Sequence, residues 1–108
     1  MAEAAILVLT HMPDRERALA LAGSLVAARL AACVNIGPAV ESMYHWQGEI
    51  ETGHEVPLAI KTRAALLRPL ETAILAQHPY ELPEIIVVPI IDGLDRYLHW
   101  IAEESRAP

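Results

Sequence analysis

The sequence predicts an α+β sandwich of two βα units around a long hairpin, in the order β-α-β-β-α-β, with one extra helix at the C-terminus. Three observations predict it. Two apolar, β-branched runs, Ala4 to Thr10 and Ile85 to Ile91, lie near the two ends of the chain and read as strands. Two alanine- and leucine-rich segments repeat at helical spacing. Between them lies a long extended stretch broken by a single two-residue turn candidate, Gln47-Gly48.

Each element follows from local chemistry. Ala4 to Thr10 is continuous and aliphatic, as a strand buried on both faces requires. Pro13 and Asp14 open the first helix, because proline is tolerated in the first turn and a carboxylate favours the helix N-terminus. Ala18, Leu21, Ala22, Leu25 and Arg29 continue it at helical spacing. Leu30 to Trp46 is extended, with Gly37-Pro38 as a bend or bulge. Gly48 supplies the positive φ of the turn. Glu49 to Thr62 returns as the second arm. Pro57 lacks an N–H for the ladder, so a bulge or an unpaired edge is expected there.

Leu66, Leu70, Ala73 and Ile74 mark a second helix. Pro69 places its start near Arg68 or bends it there, and His78-Pro79-Tyr80 with Leu82-Pro83 stops it. Pro89 demotes Ile85 to Ile91 to an edge strand or places it at a strand end. Asp92 is expected to cap the third helix, whose inner stripe is Leu94, Leu98 and Ile101. This order is that of the ferredoxin-like sandwich, with helices on one face of a four-stranded sheet.

The 108 residues suit a single domain, 1–108, with 54% hydrophobic and 20% charged residues, the reverse of a disordered composition. A net charge of -6 repels phosphate backbones and anionic lipid, which argues against nucleic acid and membrane surfaces as partners. One cysteine, Cys33, excludes an internal disulfide framework and suits a reducing compartment. No apolar run reaches membrane-spanning length, and Glu3 stands where a signal peptide carries positive charge. A cytoplasmic location is expected.

The hairpin predicts an oligomer. Each arm holds roughly 14 residues, about 45 Å at the rise of a strand, whereas a globule of this size is only about 34 Å across. The tip, which carries Met43, Tyr44 and Trp46, must overhang or bend. An isolated ribbon with large apolar groups is marginal in water. Tyr44 and Trp46 are therefore expected at a subunit interface.

Catalytic signatures are absent from the sequence: there is no glycine-rich phosphate loop and no nucleophile elbow. A non-enzymatic protein is expected. Lys61, the only lysine, follows an apolar strand and is a candidate to close a cleft between subunits with Glu84 or another carboxylate.

Five segments, in order, carry a resemblance: Ala28 to Ile36, Ser42 to Gly48, Lys61-Thr62, His78 to Ile85, and Tyr97 to Ile101. Together the sequence resembles the CutA divalent-cation tolerance family. The resemblance implies a ferredoxin-like fold and a homotrimer whose long hairpins wrap neighbouring subunits. It also implies a link to tolerance of divalent metals, copper especially. By fold analogy alone, the trimer resembles PII nitrogen-regulatory proteins, so a small-molecule sensor or adaptor using intersubunit clefts is the alternative.

The resemblance also implies ligand positions. His78, just before Pro-Tyr, is one. Gln77 precedes it where the family often has a second histidine. The other ligand position, at the end of the first strand, is Thr10, with His11 adjacent. Amide and hydroxyl oxygens are poorer copper ligands than imidazole. Cys33 follows the family motif and is a soft ligand if exposed; its apolar neighbours Ala32 and Val34 favour burial. No cofactor is obligatory, and any copper or other divalent cation is expected to bind weakly.

Overall fold

The computed structural model describes residues 4–107. Its elements are β1 (Ala5–Met12), α1 (Arg15–Ala27), β2 (Cys33–Ile36), β3 (Val40–Trp46), β4 (Glu49–Arg63), α2 (Leu67–Gln77), β5 (Ile86–Ile90) and α3 (Asp95–Glu104). A short 3₁₀ turn, Ala64–Leu66, leads into α2. The sheet is antiparallel, in the order β2-β4-β1-β5, and β3 continues along β4. Five strands stand where four were expected, because the first arm of the hairpin divides in two.

Pro57 explains the division. Ile36 pairs with Leu58, and Val40 pairs with Glu55. Residues 37–39 therefore face only Val56 and Pro57, one residue more on the first arm, which is a bulge. Gly37 N–H donates to the Pro57 carbonyl at 3.0 Å. A Cβ at Gly37 would meet Pro57 Cγ at 3.0 Å, a contact tight enough that the proline ring would have to shift by a few tenths of an ångström to admit it. At the far end the hairpin closes through Gln47 (φ 50°) and Gly48 (φ 83°), both left-handed as a two-residue turn of this hand requires.

Asp14 caps α1 by accepting from the Arg17 backbone N–H at 2.8 Å. Ala18, Leu21, Ala22 and Leu25 form its buried stripe. The helix ends before Arg29, contrary to the spacing argument. Arg29 adopts φ 61°, its N–H bonds the Val26 carbonyl, and Leu30 N–H reaches the Leu25 carbonyl. This is a Schellman closure with arginine at the left-handed position. The Arg29 side chain pairs with Glu104, tying α1 to α3. In α2, Pro69 is the third residue, where its missing N–H would have no intrahelical partner.

Even-numbered residues of β1 and β4 face α1 and α2 and form the core: Val8, Leu58 and Ile60 pack with Leu21, Leu25, Leu70 and Ile74, all fully buried. Odd-numbered residues face the other side. There α3 covers one end of the sheet, where Ile101 packs with Ala5 and Ala32. The third helix thus lies on the face opposite the other two. Asp92 does not cap it: its carboxylate accepts only from the adjacent Gly93 N–H, and Leu94 is the N-cap residue. Leu94 is exposed, so the inner stripe reduces to Leu98 and Ile101. β5 pairs with β1 alone and is the edge that Pro89 predicts. No helix of the described residues is long and apolar enough to cross a membrane.

Two threonines are buried in the helix-facing layer. Thr62 Oγ1 donates to the Leu30 carbonyl at 2.7 Å. Thr10 Oγ1 has no partner among the described residues, and an unsatisfied buried hydroxyl costs about 1–3 kcal/mol. Thr10→Val keeps the shape and removes the orphan. It should raise stability by about 1 kcal/mol and the melting temperature by roughly 4–8 °C in a thermal unfolding scan. A lower melting temperature would mean that the hydroxyl is satisfied.

Candidate functional site

The pleat places Ser42, Tyr44 and Trp46 of β3 on one side of the hairpin. Their partners Gly53, Glu51 and Glu49 lie on the same side, and so does Glu55, opposite Val40. That side continues the face of the sheet away from α1 and α2. Opposite stands the segment from His78 to Glu84, which leaves α2 and returns to β5. The two enclose a groove of about 680 Å³. Tyr44, Trp46 and Tyr80 supply its aromatic walls. His11, Glu55 and Glu84 are among its polar groups.

His78 fixes the far wall. It ends α2 with extended backbone (ψ 130°), because Pro79 disfavours a helical residue before it. Its Nε2 lies 2.7 Å from the His11 carbonyl, and its Nδ1 accepts from the Tyr80 backbone N–H at 3.2 Å. These partners assign the neutral tautomer with the proton on Nε2. The Tyr80 ring lies 4.8 Å from the His78 ring, tilted by 53°. Burial first, and then the Glu55 carboxylate that accepts its hydrogen bond, push the Tyr80 phenol up to about 12.

The expected ligand residues divide among different surroundings. His11 Nδ1 lies 3.3 Å from Glu84 Oε2, both partly exposed at the groove. Thr10, the neighbouring residue, points into the core on the other side of the sheet, so the two side chains do not converge. Gln77 is engaged with Ser24: its Nε2 donates to Ser24 Oγ at 2.9 Å, linking α2 to α1. Both nitrogens of His78 are occupied, as above. Cys33 is partly exposed rather than buried. Val34, its neighbour on the strand, faces the other side, and Ala32 precedes the strand and packs with Ala5 and Ile101, so their apolar character says nothing of its own surroundings. It stands opposite Lys61 on β4, four residues from Pro57, the partner of His11. That is about 13 Å along the strand.

Lys61 does not meet Glu84 within the chain. Its Nζ lies 3.5 Å from Tyr97 Oη and 5.6 Å from the centre of that ring. Tyr97 in turn stacks on Trp100 at 5.5 Å. Among the described residues, no three His, Cys, Asp or Glu side chains converge as a metal would require. The donors of one chain therefore do not fit a closed, resident metal centre.

Sequence reasoning missed Tyr80 and Glu55, which meet across 25 positions of the chain. No local spacing signals such a pair. The folded phenol titrates above its ordinary value of 10.0. Its contribution to stability is therefore complete below pH 10 and is lost as pH rises through about 12. Glu55→Gln should lower the Tyr80 midpoint toward, but not to, the ordinary value, since burial persists. Phenolate absorbance, with Tyr80→Phe as the reference, reads this shift. An unchanged midpoint would remove Glu55 as a cause.

The sequence matches the family model described as CutA1 divalent ion tolerance protein over residues 6–104. "Protein CutA, chloroplastic" of Arabidopsis thaliana is 46% identical over 101 residues, 94% of this chain and 56% of that protein, so the chain spans little more than half of this relative. The "Divalent-cation tolerance protein CutA" of Thermus thermophilus is 43% identical over 98 residues, 91% of this chain and 95% of the relative. The crystal structure of CutA1 from Oryza sativa superposes with a TM-score of 0.94 at 42% identity, covering 97% of this chain and 96% of that one. Sequence and fold agree over nearly the whole of this domain, and the chain belongs to the CutA1 divalent ion tolerance protein family.

Proposed function

We propose that the chain is a non-enzymatic subunit of a homotrimer that serves divalent-cation tolerance by binding the cation, copper foremost, weakly and reversibly. The observation that carries this reading is the His11–Glu84 pair at 3.3 Å, partly open to solvent at the groove. An imidazole beside a carboxylate is a two-donor start that copper favours over other divalent ions. Water or a second subunit supplies the remaining positions. The cation is cargo in this reading, because one chain holds no closed ligand set. The single free cysteine supports a cytoplasmic setting.

The trimer is supported by apolar surface that the chain does not cover. Ile86 and Val88 stand on the face away from α1 and α2, 50% and 42% exposed. Tyr44 and Trp46 extend the same side along the hairpin, at the rim of such an interface. A small-molecule sensor or adaptor is the second reading, favoured by the size of the groove, which lies within the range of small-ligand sites.

Titration calorimetry with copper, zinc and nickel tests the cation reading. His11→Ala should weaken copper binding about tenfold, and His78→Ala should weaken it less, because both His78 nitrogens already have partners. Equal copper affinity of wild type and His11→Ala would reject this site.

Sedimentation equilibrium at micromolar concentration should give three times the 11.8 kDa chain mass. Val88→Glu, a charge placed on the face to be covered, should shift the protein toward monomer without unfolding it. A wild-type monomer, or a Val88→Glu protein that assembles as wild type does, would reject this interface.

A further inference from the structure

We propose that the groove between the hairpin and the His78–Glu84 segment is a binding site for a small organic ammonium ion, held by Tyr44, Trp46 and Tyr80 and neutralised by Glu55. This deepens the sensor reading of the same groove by naming the class of its ligand.

Three features point to that chemistry. The first is aromatic placement. Tyr44 and Trp46 are two residues apart on β3 and project from the same side, with Tyr80 across the groove. Aromatic faces attract a cation through their quadrupole, and several such faces around one space suit an alkylammonium group, whose methyls also gain apolar contact. The second is charge. The groove is lined by Glu55, Glu81 and Glu84 and by no lysine or arginine. No Lys or Arg occurs between Arg29 and Lys61, a stretch that holds the whole first arm and nearly all of the second. Glu49 and Glu51 add charge on the same side of the hairpin. An anion would be repelled here, and a neutral ligand would leave Glu55 and Glu81 without a counter-charge. The third is the arrangement of donors. Among the described residues no three metal-ligating side chains converge, so one chain does not surround a bare divalent ion, whereas an ammonium needs no inner-sphere ligand set. The raised titration of the Tyr80 phenol agrees, since it reflects burial beside the Glu55 carboxylate and keeps the ring neutral.

Choline and its neutral carbon isostere, 3,3-dimethylbutan-1-ol, provide the test, used with the full chain at fixed ionic strength. In a Trp100→Phe background, fluorescence reports Trp46 alone. Choline should give a saturable change in the millimolar range, and the isostere should bind at least about tenfold more weakly. Glu55→Gln should weaken choline about tenfold. Glu103→Gln, which removes the same charge from α3, should leave its affinity within about twofold. Trp46→Leu, followed by calorimetry, should reproduce the loss. Equal affinities for choline and the isostere would leave the groove a small-molecule site but overturn the ammonium assignment. No saturable change up to about 100 mM choline would overturn both. Equal effects of Glu55→Gln and Glu103→Gln would show diffuse surface attraction and overturn the role of Glu55.

Discussion

β4 runs for fifteen residues without a break, and the rest of the molecule is arranged around that fact. Its C-terminal half, from Val56 onward, alternates buried and partly buried residues between β1 and β2. Its N-terminal half, from Glu49 to His54, has only β3 beside it and almost nothing buried. One strand therefore belongs to two environments. The inner half is held by the core of its own chain. The outer half carries the hairpin beyond that core, and the long axis of the molecule reaches 47 Å against 25 and 23 Å for the others. A two-stranded ribbon gains little stability alone, so the outer half is where a covering partner would add most.

The same continuity creates the groove. The bulge at Gly37 and Pro57 increases local twist where the sheet ends and the ribbon begins. Beyond it, the side of the hairpin that carries Tyr44, Trp46 and Glu55 faces the segment that leaves α2. His78 pins that segment to the end of β1 through the His11 carbonyl. Its structural bonds occupy the nitrogens that a metal would need. His11, whose side chain points the other way, is left to pair with Glu84. A single substitution at His78 would therefore disturb the wall of the groove before it altered any cation site.

Much of the fold was legible because it rests on local chemistry. The apolar runs, the Asp14 cap, the Gln47-Gly48 turn, the awkwardness of Pro57 and the edge position of Pro89 each have a physical signal within a few residues. The misreadings came from the same local view. Arg29 fits the helical spacing, yet the chain has already closed the helix, and the ion pair with Glu104 that accompanies the closure is 75 positions away. Asp92 looks like a cap but satisfies only its neighbour. Cys33 looks buried because its neighbours are apolar, although Val34 faces the opposite way and Ala32 lies before the strand begins. The split of Thr10 from His11 was implicit in strand alternation, but the candidate site was otherwise legible only in part: His11, Tyr44, Trp46 and Glu84 could be picked out, but not the meeting of Tyr80 with Glu55, nor the contact of His78 with the His11 carbonyl. These depend on the register of β1 with β4 and on the path after α2, which no local pattern encodes.

The central claim is that the two halves of β4 owe their order to different sources. Amide hydrogen exchange along β4, followed as a function of protein concentration, tests it most directly. Residues 58–63 should be strongly protected at every concentration, since the core of the chain covers them. Residues 49–55 should exchange fast at high dilution and become protected as concentration rises and a second copy covers the hairpin. Uniform protection along the whole strand, independent of concentration, would contradict the account, because the hairpin would then be stable on its own.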